Sequence, residues 1–229
     1  MFDNLKLLKN LDLLFVEDDV DTAQTTIETL SYLFKNVHYA KNGIEAIELY
    51  RTNNPDMILT DIKMPQMDGI EFARLVRQKD FITPIIFLTS FSDQKFLMDA
   101  VNLSTDGYFV KPINLDDMND VLSRVVKRSN YIQKNFDIGD SAVYNLGTKE
   151  LLVNDEEVTL GTKEQALLKL FINNSNETVS KEDINYSLYA LDSVGDTAIK
   201  NLVTRLKDKL GENSISHIRG SGWKLNIKN

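Results

Sequence analysis

Short apolar runs separated by amphipathic stretches dominate the first half of the chain. The runs are Leu13-Leu14-Phe15-Val16, Val37-His38-Tyr39-Ala40, Met57-Ile58-Leu59-Thr60, Pro84-Ile85-Ile86-Phe87-Leu88 and Tyr108-Phe109-Val110. Between them apolar residues recur at helical spacing, as at Ile44, Ile47, Leu49 and Tyr50. A parallel sheet is covered on both faces, so its strands read as near-continuous apolar runs separated by helices. The spacing predicts an α/β fold, a doubly wound parallel sheet of five strands with five helices over 11–131. In such a sheet ligands bind beyond the carboxyl ends of the strands.

After residue 131 the pattern changes. Tyr131 to Asn135 is short and polar, as expected of a linker. Residues 136–160 read as several short strands punctuated by Gly139, Gly147 and Asn154-Asp155. Helical spacing follows near 163–173, 180–189 and 196–210. Two final strands flank Gly220-Ser221-Gly222, a hairpin turn signal. Three helices and a terminal hairpin predict an α+β winged helix-turn-helix. The expected division is therefore a first domain over 1–130, a linker over 131–135 and a second domain over 136–229.

Composition narrows the function classes. The 229 residues include no cysteine and two histidines, His38 and His217. This excludes a disulfide scaffold and cysteine metal or redox chemistry. No apolar run approaches the ~20 residues needed to span a bilayer. Met-Phe-Asp-Asn lacks the basic start of a secretory signal, so a soluble, cytoplasmic protein is expected. The net charge of −8 is unevenly distributed. Residues 1–135 carry 15 basic and 20 acidic side chains, and residues 136–196 carry 4 and 12. Residues 197–229 carry 7 basic and 2 acidic, so a phosphate backbone should meet the protein there.

Candidate chemistry lies at the strand ends. Glu17 and Asp18 directly follow the first strand, and Asp61 directly follows the run Met57 to Thr60. Adjacent strands would bring these carboxylates together. They repel one another unless a cation neutralises them, and an all-oxygen ligand set suits Mg²⁺. Thr89 and Lys111 end the fourth and fifth strands, adding a hydroxyl and a positive charge. Such a group can bind a phosphoryl group and neutralise its developing charge, with Asp61 as the nucleophile. A helix N-cap is the competing role for an acidic residue after a strand, here Asp18 or Asp19.

Four ordered blocks carry a resemblance. Phe15-Val16-Glu17-Asp18-Asp19, Pro55 to Gly69, Pro84 to Ser90 and Tyr108-Phe109-Val110-Lys111-Pro112 together resemble a two-component response-regulator receiver over about 11–130. The resemblance implies that Asp61 is the phosphoacceptor. It also implies that Glu17, Asp18 and Asp61 hold Mg²⁺ with the Lys63 carbonyl, that Lys111 pairs with the phosphoryl group, and that Thr89 and Tyr108 form a switch pair. The second half is similar to the winged-helix output domain of the OmpR/PhoB subfamily. Leu160 to Leu168 and Val179 to Asp183 match its first two helix starts, Thr197 to Gly211 its recognition helix, and Ile218 to Trp223 its wing.

Helical geometry bears on the recognition helix independently. At 100° per residue Ile199, Leu202, Val203, Leu206 and Leu210 share one face, which should be core. Thr197, Asn201, Thr204 and Asp208 lie opposite, flanked by Lys200, Arg205 and Lys207. That polar face suits a major groove, with Asn201 reading adenine and the cations, together with Arg219 of the wing, holding phosphates. A solvated amphipathic helix has the same pattern.

The resemblance implies a phosphorylation-controlled transcriptional regulator rather than an enzyme. Its partners would be a sensor histidine kinase, double-stranded promoter DNA, a second copy of the chain and RNA polymerase. The rival readings are a regulator that binds DNA without phosphorylation and a Mg²⁺-dependent phosphohydrolase using Asp61. Family receivers pair through a face made by the fourth helix, fifth strand and fifth helix. There Leu97 and Leu103 replace a basic and an acidic residue, Gly107 an aspartate and Val121 an arginine. An apolar dimer face of Leu97, Val101, Leu103 and Val121 is therefore expected.

Overall fold

The computed structural model describes residues 3–78, 80, 82–90, 103, 105–112, 115–128, 135–175, 177–189 and 194–228. It divides into two compact units, Met1–Gln133 and Lys134–Asn229. The first contains α1 (Asp3–Leu8), β1 (Asp12–Val16), α2 (Val20–Ser31), β2 (Asn36–Ala40), α3 (Gly43–Asn53), β3 (Met57–Asp61), α4 (Gly69–Arg77), β4 (Ile85–Thr89), β5 (Gly107–Val110) and α5 (Leu115–Arg128). The strands form one parallel sheet in the order β2-β1-β3-β4-β5. The fourth expected crossover helix falls on 91–102, outside the described residues. The short helix α1 has no counterpart in the sequence expectation.

Side-chain alternation along each strand divides the apolar runs between two cores. Leu13, Phe15, Met57, Leu59, Ile86 and Leu88 pack with Leu30 of α2 and Leu122, Val125 and Val126 of α5. Leu8 and Leu11 join this cluster, which explains why a six-residue helix holds its place. Leu14, Val16, Ile58, Ile85 and Phe87 pack with Ile70, Phe72 and Val76 of α4. Every residue of β3 and β4 is buried, as the inner strands of a doubly covered sheet require. Asp19, Asn42 and Asp68 cap α2, α3 and α4, each accepting from the backbone N–H three residues on.

Two positions of the expected apolar dimer face, Val121 and Leu103, are described, and both make contacts inside their own subunit. Val121 is only 7% exposed and belongs to the core cluster of Phe109 and Leu122. A Cβ at Gly107 would lie 3.1 Å from Val121 Cγ1, so the glycine and the valine accommodate each other inside the subunit. Leu103 is half-buried against the other cluster, and its carbonyl accepts from Arg77 Nε at 3.3 Å. Leu97 and Val101 lie outside the described residues.

The second unit opens with an antiparallel sheet of β6 (Asn135–Ile138), β7 (Ala142–Asn145), β8 (Leu151–Val153) and β9 (Glu156–Glu157), in that order. The helices α6 (Thr162–Asn173), α7 (Lys181–Leu188) and α8 (Asp196–Leu210) follow, then the hairpin of β10 (Ile215–Ile218) and β11 (Gly222–Leu225). Val179, just before α7, pairs with Trp223 through two backbone hydrogen bonds of 2.8 and 2.9 Å. Gly222 is required there: its φ is +141°, and a Cβ would come within 2.1 Å of the Val179 carbonyl oxygen.

Candidate metal centre and nucleic-acid interface

β1 and β3 are neighbours in register, with Val16 opposite Thr60. The next residues, Glu17 and Asp61, therefore emerge together at the carboxyl edge of the sheet. Glu17, Asp18 and Asp61 each offer a carboxylate oxygen, and these oxygens lie within 4.8 Å of one another. Lys111, directly after β5, brings Nζ to 2.5 Å from Asp61 Oδ2 and 2.7 Å from Glu17 Oε2. Behind Asp61 the chain folds back tightly: Gly69 N–H donates to the Ile62 carbonyl at 2.9 Å, and a Cβ on Gly69 would lie 1.9 Å from the Asp61 carbonyl oxygen.

The three consecutive acids after β1 have separate surroundings. Glu17 is 1% exposed, Asp18 is exposed, and Asp19 spends its carboxylate on Thr22 N–H as the cap of α2. Glu17 Oε2 is buried and, apart from the Lys111 ammonium, has no hydrogen-bond partner among the described residues. Burial pushes the Glu17 carboxyl above its usual range, and the Asp61 charge adds to this against the pull of Lys111. Burial alone would lower the Lys111 ammonium, but hydrogen bonding and charge from Asp61 and Glu17 outweigh it and raise its pKa. Three hard oxygen donors around one cation, one of them a buried oxygen short of donors, fit a small divalent ion such as Mg²⁺.

The other predicted receiver residues, Lys63, Thr89 and Tyr108, lie just after β3, at the end of β4 and on β5. Lys63 N–H donates to Asp61 Oδ1 at 3.3 Å. Thr89, buried at the end of β4, donates from Oγ1 to the Ser90 carbonyl at 3.2 Å. Tyr108 on β5 is 57% exposed, turned away from the sheet interior. One contact escaped sequence reasoning: Tyr39 on β2 donates its hydroxyl to the Glu17 carbonyl at 2.9 Å. The signal was a tyrosine near the end of the run beside the acidic residues, and an ordinary strand aromatic has the same signature.

On α8 the division of faces follows the helical period. Ile199, Leu202, Val203, Leu206 and Leu210 are buried, whereas Lys200, Asn201, Thr204, Arg205 and Asp208 are exposed. Lys207 is half-buried, and Arg219 is exposed between β10 and β11. The cations are not equivalent. Lys209 turns back to α6, donating to Glu164 Oε2 at 2.7 Å and to the Thr159 carbonyl at 2.8 Å. Lys181 hydrogen-bonds the exposed Asp196 carboxylate, and with Lys200 nearby it holds that group below its usual pKa.

Comparison with known proteins covers both units. Residues 13–123 match the response regulator receiver domain family, and residues 155–225 match the family described as transcriptional regulatory protein, C terminal. The cell cycle transcriptional regulator CtrA of Caulobacter vibrioides is 31% identical over 223 residues, covering 94% of this chain and 96% of that protein. The transcriptional regulatory protein TrcR of Mycobacterium tuberculosis is 27% identical over 220 residues, covering 93% and 85%. The crystal structure of response regulator DrrB from Thermotoga maritima, an OmpR/PhoB homolog, aligns over 94% of this chain and 98% of its own at 19% identity, with a TM-score of 0.46. Among the described residues no helix is long and apolar enough to cross a membrane.

Proposed function

Because the chain belongs to the OmpR/PhoB family of two-component transcriptional regulators, we propose that phosphorylation of Asp61 by a sensor histidine kinase controls its binding to promoter DNA. The observation that carries this reading is the convergence of Glu17, Asp18, Asp61 and Lys111 at one edge of a parallel sheet. A carboxylate oxygen of Asp61 attacks phosphorus, and the bond from phosphorus to the kinase imidazole breaks. The electron pair stays on the ring nitrogen, leaving an acyl phosphate on Asp61. Lys111 holds its ammonium where the phosphoryl oxygens arrive, and burial strengthens that contact. Glu17, Asp18 and Asp61, with the Lys63 carbonyl, would hold Mg²⁺, which supplies positive charge against the phosphoryl oxygens.

Output follows from a shift in population. The phosphoryl group favours an active state only through contacts that differ between states. Thr89 and Tyr108 are the residues assigned to that difference, the hydroxyl moving toward the phosphoryl oxygens and the ring turning inward. Pairing of two chains raises the local concentration of two DNA-binding units on tandem half-sites, where RNA polymerase can be engaged. In the second unit the exposed face of α8 enters the major groove. Asn201 and Thr204 reach base edges there, while Lys200, Arg205, Lys207 and Arg219 meet phosphates.

The test is direct. Protein mixed with Mg²⁺ and a small acyl-phosphate donor should gain one base-labile phosphoryl group. Asp61→Asn or removal of Mg²⁺ should abolish this. Stoichiometric labelling that survives in Asp61→Asn refutes the assignment.

A further inference from the structure

The peptide unit between Glu17 and Asp18 joins two of the three clustered carboxylates, and it is held from β2. Tyr39 donates its hydroxyl to the Glu17 carbonyl oxygen at 2.9 Å, while Glu17 N–H donates to the Ala40 carbonyl at 3.1 Å. A peptide group is planar, so fixing that carbonyl oxygen also fixes the N–H of Asp18 and the direction in which the chain continues. Beyond Asp18 the backbone is fixed again, because Asp19 caps α2. The Glu17–Asp18 unit is therefore the link between the last strand residue and the first helical turn.

Tyr39 is itself well anchored. It lies opposite Phe15 in the β1–β2 register, and the two rings pack with centroids 6.2 Å apart. The ring is thus placed by apolar contact, and the hydroxyl reaches the strand end.

We infer that Tyr39 is a positioning residue for the cation site, its hydroxyl setting the Glu17–Asp18 peptide plane so that both carboxylates face one ion. This rests on the reading of Glu17, Asp18 and Asp61 as Mg²⁺ ligands. Mg²⁺ demands near-octahedral geometry and tolerates little displacement of its ligands. Groups that orient ligands from outside the coordination sphere contribute to affinity for the same reason. Without the hydroxyl the peptide plane gains freedom that the ion must remove on binding.

Tyr39→Phe tests this, since it keeps the ring against Phe15 and removes one oxygen. Mg²⁺ is titrated calorimetrically into full-length wild type, Tyr39→Phe and Asp61→Asn. Labelling rates with a small acyl-phosphate donor are followed across Mg²⁺ concentrations. One lost hydrogen bond should weaken Mg²⁺ binding of Tyr39→Phe about three- to tenfold. The labelling rate should return to the wild-type value at saturating Mg²⁺, with half-saturation displaced by the same factor. A purely structural role would lower the unfolding temperature and leave the Mg²⁺ isotherm unchanged, which overturns the inference alone. Wild type that takes up no Mg²⁺, or Asp61→Asn that binds it equally well, overturns the site reading and this inference together.

Discussion

Lys111 Nζ lies 2.5 Å from Asp61 Oδ2, bridging fifty positions of sequence at the carboxyl edge of the sheet. The same ammonium is 2.7 Å from Glu17 Oε2, so it is a shared counterion for two carboxylates. The ammonium and a divalent ion held by Glu17, Asp18 and Asp61 would therefore neutralise the same charges. Lys111→Ala should destabilise the protein by about 1–3 kcal/mol without divalent ions, because it leaves a buried carboxylate uncompensated. Added Mg²⁺ should then raise the unfolding temperature more in Lys111→Ala than in wild type. Equal increments in thermal melts would contradict the shared-counterion account.

The Glu164–Lys209 pair predicts an acid-sensitive contribution to stability. Burial pushes the Glu164 carboxyl up, but Lys209 at 2.7 Å and Gly161 N–H at 2.8 Å outweigh it and hold its pKa below the usual 4.5. A carboxyl lowered in the folded state adds stability that is full above its unfolded pKa. That stability is lost as pH falls through the folded value. Glu164→Gln should cost about 1–2 kcal/mol near neutral pH. It should also flatten the loss below pH 4.5, as read from urea midpoints across pH.

The exposed face of α8 predicts two kinds of DNA defect. Lys200→Ala should weaken all sequences alike and reduce the magnitude of the log–log salt slope by about 0.9. Asn201→Ala should cost roughly 1–3 kcal/mol concentrated at one base pair. Lys209→Ala, by contrast, should lower stability and leave the salt slope alone, since that lysine is committed to Glu164 and Thr159. Fluorescence anisotropy over a salt series separates these outcomes.

A buried network far from the acidic cluster predicts a stability defect. Arg77 is 6% exposed and donates to the carbonyls of Leu103, Asp80 and Thr83 and to Asp106 Oδ2. Asp80 in turn accepts from Tyr50 Oη at 2.7 Å and from Ile82 and Thr83 N–H at 2.8 Å. Arg77→Met keeps the length of the stem and removes every donor. It should cost about 3–5 kcal/mol, the range for breaking a buried charged network, in a denaturant titration.

Much of the candidate site was legible along the chain, for a definite reason. Parallel strands buried on both faces must be continuous apolar runs, so their ends, and the acids that follow them, can be marked by eye. Glu17, Asp18, Asp61, Thr89 and Lys111 were located this way, and helical period separated Ile199, Leu202 and Leu206 from Lys200 and Asn201. Period and pattern are local quantities, however. They determine which face a residue occupies and not what lies against that face.

Contacts between distant segments were decided by tertiary structure alone. Asp18 and Asp19 are chemically identical neighbours, and only the backbone path into α2 makes one a candidate ligand and the other a cap. Lys209 and Lys200 belong to the same basic stretch, yet Glu164 on α6 turns one inward. Gly107 and Val121 read as two separate losses of charge, and the packing of α5 on β5 makes them one close contact inside the subunit. Tyr39 reads as a strand aromatic until the β1–β2 register carries its hydroxyl to the Glu17 carbonyl. In each case the chain specified the side chain, and the partner came from an element whose approach no local pattern encodes.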